Sequence, residues 1–174
     1  VKTRVRFRWL IEVLTLLPWA LPASTVAINM ITSFNRPNVF ALGQHLVGTY
    51  WILPITYFIG MLTLVVRTTS ASLRQVHTSV EEASRNLGAR WLYTFRRVVV
   101  PMVAPGIAAG ALLGFIGALG DYTTSALLYT VSNMPISIAM TNAMYNFDLG
   151  LSMTYGVIQI VVTLAVLTIA RTSG

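Results

Sequence analysis

The 174-residue chain is 55% hydrophobic and only 10% charged, with a formal charge of +7 and no cysteine. A soluble domain carries about 25% charged residues, so much of this surface faces something other than water. The absence of cysteine excludes a disulfide framework, a thiolate metal site and a cysteine nucleophile. The basic residues sit between long apolar runs, which points to membrane topology rather than nucleic acid.

The chain does not begin with methionine, and it reads as part of a longer polypeptide. A bilayer core of about 30 Å needs about 20 apolar helical residues to cross it. Four stretches meet that length, and the expected spans are 11–34, 47–66, 100–120 and 151–170. The basic start Lys2-Thr3-Arg4-Val5-Arg6-Phe7-Arg8 and the later Leu21-Pro22-Ala23-Ser24 suggest a signal peptide. Two features argue against it. The uncharged run continues to Asn35, and Glu12 interrupts its start.

Lysine and arginine predict the orientation. Lys2, Arg4, Arg6 and Arg8 precede the first span; Arg67, Arg74, Arg85, Arg90, Arg96 and Arg97 lie between the second and third; Arg171 follows the fourth. Arg36 alone falls on the other side. Both ends are therefore expected in the cytoplasm. The fold class expected is all-α, a polytopic transmembrane bundle in a single domain spanning 1–174.

Pro18, Pro22, Pro54 and Pro105 fall within spans. Each removes an intrahelical hydrogen bond, which favours bent helices over straight rods. Gly106, Gly110 and Gly114 recur at GxxxG spacing in the third span, and small faces of this kind let helices approach closely. The same stripe suits generic packing or a central helix lining a path.

The loop 67–99 is long for a bundle connection. Ser79 and Glu82 form a capping-box pattern, and Val80, Ala83 and Leu87 share a predicted helical face. Gly88 is placed to end that helix. An amphipathic piece with Trp91, Leu92, Phe95, Val98 and Val99 follows, and Pro101 opens the next span.

In 121–148, Asn133, Pro135, Ser137, Thr141, Asn142 and Asn146 interrupt an otherwise apolar stretch. It reads as an outer segment with a short helix over 136–145. Asp121 has two readings of equal weight: a group on a solute path, or a carboxylate wetted at the interface. Asp148 reads as a helix N-cap. Tyr50, Trp51, Tyr57, Tyr122, Tyr129 and Tyr145 read mostly as interface aromatics. His45 and His77 fall on opposite sides in this topology, so they share no metal.

The loop resembles the EAA motif of ABC-importer permeases. That motif is Glu-Ala-Ala, three residues, Gly, nine residues, then Ile-x-Leu-Pro. Here it reads Glu82-Ala83-Ser84, Gly88 and Val98-Val99-Val100-Pro101, with the spacing intact. The departures are Ser84 for alanine and two valines for isoleucine and leucine. Leu17-Pro18-Trp19-Ala20-Leu21-Pro22 and Asp148-Leu149-Gly150-Leu151 resemble the ferric-iron, thiamine and polyamine branch.

The resemblance covers essentially the whole chain and implies a type I importer permease of the bacterial inner membrane, not an enzyme and without cofactors. Members have about six spans, so leading helices are expected before this chain. Expected partners are ABC ATPase subunits, an extracytoplasmic solute-binding protein, a second permease copy or half, and membrane lipid, with no nucleic acid. Glu82, Ala83, Ser84, Leu87, Gly88 and Pro101 are the expected ATPase-coupling residues; Asp121 and Tyr122 are candidates for the translocation path. Ferric iron is the first expectation for the cargo, with polyamine, thiamine or phosphonate behind it. Two rival classes are a membrane-embedded enzyme using Asp121 and Asp148, and a structural anchor.

Overall fold

The computed structural model describes residues 8–37, 43 and 45–172. Lys2, Arg4 and Arg6 of the expected basic cluster lie outside them, as does part of the outer segment 36–46. The described residues form helices and no strands. In chain order these are α1 (Arg8–Ala20), α2 (Ala23–Phe34), α3 (Ile52–Gln75), α4 (Thr78–Asn86), α5 (Trp91–Thr94), α6 (Val100–Gly120), α7 (Tyr122–Leu128), α8 (Ile136–Tyr145) and α9 (Leu149–Thr172).

Three rods are long and apolar enough to cross a bilayer: Ile52–Gln75, Trp91–Gly120 and Leu149–Ala170. The expected span 11–34 differs. It is two helices whose axes bend by 105°, and it makes a fourth span only if the bent pair counts as one. The break falls at Pro22, which stands at the N-cap of α2 with extended backbone. Its ring pushes the preceding residue out of the helical region, so α1 cannot run on. Pro18 and Pro105 are carried inside helices, and Pro54 sits in the first turn of α3, where its missing N–H costs nothing.

The other expected spans grow at the loop end. The second, expected at 47–66, is α3, which begins at Ile52 and continues to Gln75. The third, expected at 100–120, begins at Trp91. The connection is therefore not the thirty-three residues of 67–99 but the fifteen residues of 76–90, with α4 inside it. The polar and basic ends of these rods, including Arg74, Arg96 and Arg97, remain helical because the backbone bonds do not depend on the apolar run that flagged the spans. The helix expected over 136–145 is present with those bounds.

Among the described residues, the packing of α3 against α6 is the most extensive. Gly106, Gly110 and Gly114 are its buried face on α6. A Cβ on Gly106 would lie 1.9 Å from Ser72 Oγ; on Gly110 it would lie 2.2 Å from Thr68 Oγ1 and 2.7 Å from Val65 Cα. These two glycines are present because α3 backbone and hydroxyls occupy that space. At both ends of this seam, apolar side chains take over. Ala27, Met30, Ile52, Leu53 and Leu128 join α2, the start of α3 and α7. Val76, Val99 and Val103 pack together where α3 ends.

Polar ties add to these. Thr63 Oγ1 donates to the Thr15 carbonyl at 2.5 Å, holding α1 on α3. Tyr57, expected among the interface aromatics, instead shares a 2.5 Å hydrogen bond with Ser125 Oγ. The Asp121 carbonyl accepts from the hydroxyls of Ser125 and Ser137. This hydroxyl chain fastens α7 and α8 to α3.

The seam yields a test. Gly110→Val should destabilise the fold by about 2 kcal/mol or more, because an overpacked contact against backbone cannot relax. Gly60→Ala, where the added carbon meets nothing within 4 Å, should be close to neutral. Thermal melting of the detergent-solubilised protein, read by monodisperse fraction, checks both.

Candidate functional site

The site is built on the short connection between α3 and α5. Val76 is buried, and its extended backbone turns the chain out of α3. His77 is the N-cap of α4, and no side chain caps it. The expected Ser79–Glu82 capping box is therefore not formed. The helix starts two residues earlier than that pattern requires, which puts Ser79 within its first turn and leaves Glu82 exposed.

The expected apolar face of α4 also divides. Glu81 is buried, and Val80 and Ser84 are half-buried. Glu82, Ala83, Arg85 and Leu87 face outward, Leu87 at 88% exposure. The inward face is set by a hydroxyl pair: Ser84 Oγ and Thr94 Oγ1 lie 2.9 Å apart. Thr94 is 1% exposed, and its hydroxyl also reaches the Arg90 carbonyl at 3.4 Å. Ser84 is one of the residues that depart from the motif, and alanine there has no hydroxyl for this bond. Thr94 and Glu81 lie outside the motif residues. Two adjacent glutamates on one short helix were the available signal, since both cannot face the same way.

Gly88 closes α4. Its φ is +79°. Its N–H bonds the Arg85 carbonyl at 2.8 Å, and the Ala89 N–H bonds the Ser84 carbonyl at 3.1 Å. These two bonds make a Schellman turn, which favours glycine at the left-handed position. A Cβ at Gly88 would meet nothing within 4 Å, so the requirement is conformational rather than steric. Val80, Ser84, Leu87, Gly88, Arg90 and Tyr93 line a concavity of about 680 Å³ beneath the turn.

Beyond it, Trp91 and Phe95 stack at 5.6 Å with planes 5° apart. Residues Phe95–Val99 form a π-turn in which the Val100 N–H reaches the Phe95 carbonyl. Pro101 follows at once. Proline has no N–H and its ring crowds the carbonyl four residues back, and a widened turn is the usual way a continuous helix accommodates such a defect. Pro101 thus sits within the rod rather than opening it.

The structure brings Ser84 and Gly88 of the predicted residues into one turn, with Glu82, Ala83 and Leu87 on its outer surface. Pro101 lies about 15 Å up the rod, at 1.5 Å per residue from Trp91. Asp121 and Tyr122 stand at the opposite end, about 45 Å away on the same measure. Asp121 Oδ1 accepts the Thr124 N–H at 2.9 Å and caps α7; Tyr122 is exposed. Asp148 Oδ1 accepts the Leu151 N–H at 2.9 Å, the capping geometry expected of it.

A model of the "binding-protein-dependent transport system inner membrane component" family matches residues 1–173. The chain belongs to this family. It is 35% identical over 164 residues to a probable ABC transporter permease protein, y4fN, of Sinorhizobium fredii, covering 92% of this chain and 29% of that protein. It is 31% identical to the sulfate transport system permease protein CysT of Salmonella typhimurium, over 83% of this chain and 54% of that one. It is 26% identical to the ferric transport system permease protein FbpB of Actinobacillus pleuropneumoniae, over 90% and 22%. The chain thus spans between about a fifth and about half of the length of these relatives. In fold it matches the MetNI methionine ABC transporter in an inward-facing conformation, with a TM-score of 0.72 at 18% identity, covering 93% of this chain and 71% of that one. The relatives are named as permeases, not enzymes.

In this permease-family chain the turn should behave as a strained but solvated element. Gly88→Ala should cost about 1 kcal/mol through backbone strain alone. Amide exchange at Gly88 and Ala89 should accelerate, while the amides of α3 and α6 keep their protection. Faster exchange along α3 would show that the turn supports the bundle instead.

Proposed function

We propose that this chain is part of the transmembrane permease of an ABC importer and that α4 is the helix through which ATPase subunits act on it. The observation that carries the reading is the α4 surface. Glu82, Ala83 and Leu87 are exposed on a helix whose other face is pinned to the rod by Ser84 and Thr94. A short helix with one bound face and one open face, carrying Glu82, Ala83 and Arg85 and followed by Leu87, suits a groove in a partner. Because the connection is only fifteen residues and packs on Val99 and Val103 through Val76, a push on α4 passes to α3 and α6 together rather than being lost in slack chain.

In this reading α3, α5–α6 and α9 cross the bacterial inner membrane, the 76–90 connection is cytoplasmic, and the 121–148 segment faces outward. A second permease copy or half completes the path, and a solute-binding protein delivers the cargo to the outer face. Glu82 makes the charged contact at the joint, Leu87 the apolar one, and Gly88 allows the sharp turn between them. Asp121 and Tyr122 lie at the outer mouth of the path, where Asp121 also holds α7 in place. ATP hydrolysis belongs to the partner subunit.

The cargo proposed is a small inorganic ion. Ferric iron is supported by the Leu-Pro-x-x-Leu-Pro resemblance and by the ferric relative. Sulfate is supported by the name of the more similar CysT relative. Accumulation of radiolabelled ferric iron and sulfate by the full transporter in proteoliposomes separates the two.

The coupling role has its own test. Glu82→Lys and Gly88→Pro should abolish ATPase co-purification and reduce ATP-driven uptake at least tenfold, while membrane insertion is retained. Leu87→Asp should weaken co-purification in the same way. Uptake at wild-type rates in all three variants would eliminate α4 as the point of coupling.

A further inference from the structure

The break between α1 and α2 and the break between α6 and α7 border one cavity of about 250 Å³. Trp19 and Ala23 line it beside the first break, Thr56 and Tyr57 on α3, and Asp121 and Thr124 at the second. Interrupted helices of this kind are tolerated at membrane depth where they line a water-filled cavity.

Two polar groups of the wall are unused. The Thr124 N–H takes Asp121 Oδ1; among the described residues Oδ2 accepts nothing. Thr124 is 4% exposed, and its hydroxyl makes no hydrogen bond among those residues. The hydroxyls of Thr56 and Tyr57 both have partners. No side-chain oxygen or nitrogen there is both sealed and unsatisfied. The Thr124 hydroxyl therefore opens onto space, and in a residue so deeply packed that space is the cavity. Such a hydroxyl costs about 1–3 kcal/mol unless something in the cavity satisfies it.

Charge and size define the occupant. Asp121 is the only charged residue lining the cavity among the described residues. The N-terminus of α2, which no side chain caps, contributes about half a positive charge, less than the carboxylate. The balance favours a cation. The volume has room for about eight waters at about 30 Å³ each, enough for an ion that keeps its first shell. Among the described residues no three His, Cys, Asp or Glu side chains come together, so a stripped metal ion has no donor set. A hydrated hard cation needs only oxygen acceptors for its water protons, and the carboxylate and hydroxyls supply them.

We propose that this cavity is a transit site for a hydrated inorganic cation, held through its water shell by Asp121 and Thr124, with Thr56 and Tyr57 as further acceptors. This rests on the permease reading above and selects a cationic cargo over sulfate.

The test uses the full-length permease assembled with its ATPase, free of nucleotide, in nanodiscs of zwitterionic lipid. The probe is Tb³⁺, an oxygen-seeking ion whose emission is sensitised by a nearby indole. Trp19→Phe should lower the emission amplitude without moving the half-saturating concentration. Asp121→Asn keeps a residue that caps α7 and should raise that concentration about tenfold, the loss of one charge-assisted hydrogen bond. Thr124→Val should raise it about threefold, and Thr124→Ser should restore it to within about twofold of wild type. An unchanged half-saturating concentration in Asp121→Asn overturns the proposal, and so does an amplitude that Trp19→Phe leaves unaltered. Labelled sulfate bound by wild type, and more tightly by Asp121→Asn, overturns it in favour of an anion at the start of α2. Normal iron uptake without Tb³⁺ binding removes the site alone. Tb³⁺ binding in a chain that takes up neither labelled iron nor sulfate removes the permease reading instead.

Discussion

The close approach of α3 and α6 is the constraint on which the rest depends. Lipid is as apolar as leucine, so no hydrophobic drive brings two such helices together. Contact must come from shape, and Gly106 and Gly110 leave room for the Ser72 and Thr68 hydroxyls and the Val65 backbone. With this seam in place, the ends of the two rods are held in fixed relation. The valine cluster at Val76 and the cluster around Ile52, at opposite ends of the seam, then form where they do. The middle of the bundle is held by backbone proximity and its ends by side chains.

This arrangement places a short helix in contact with both rods at one end of the seam. Helix α4 is tied to the start of the α5–α6 rod by the Ser84–Thr94 pair and follows α3 after two residues. It belongs mechanically to both rods of the seam. At the far end, α6 breaks at Asp121, whose carboxylate caps α7 and whose carbonyl collects two hydroxyls. The same aspartate that attracts a functional reading therefore has a structural job, and the two are compatible because only Oδ1 is used in the cap.

Much of this was legible in the residues. The long apolar runs, the Gly88 turn, the helix over 136–145 and the Asp148 cap follow from local chemistry: hydropathy, left-handed backbone preference and carboxylate capping. The motif spacing from Glu82 to Pro101 pointed to the family that the whole-chain match shows. Other features were hidden. Polar residues such as Arg74 and Arg96 concealed how far α3 and the third rod extend, because helical hydrogen bonding continues where hydropathy stops. The α4 face was misassigned because Val80, Ala83 and Leu87 fit a helical period, but tertiary contacts chose Glu81 and Ser84 for the inside.

By itself, the sequence determined the helical class, the membrane-length runs, the chain's family and the position of the one glycine turn in its loop. These are set within a few residues of backbone or by composition. Only the tertiary structure decided that 11–34 bends by 105° at Pro22, that Tyr57 serves a hydroxyl network rather than an interface belt, and that the Phe147 ring stands open. Pro22 makes a break possible, but the size of the bend, like a buried face or an exposed ring, depends on which distant segment comes to lie alongside. That choice is made by packing between helices, which no local pattern encodes.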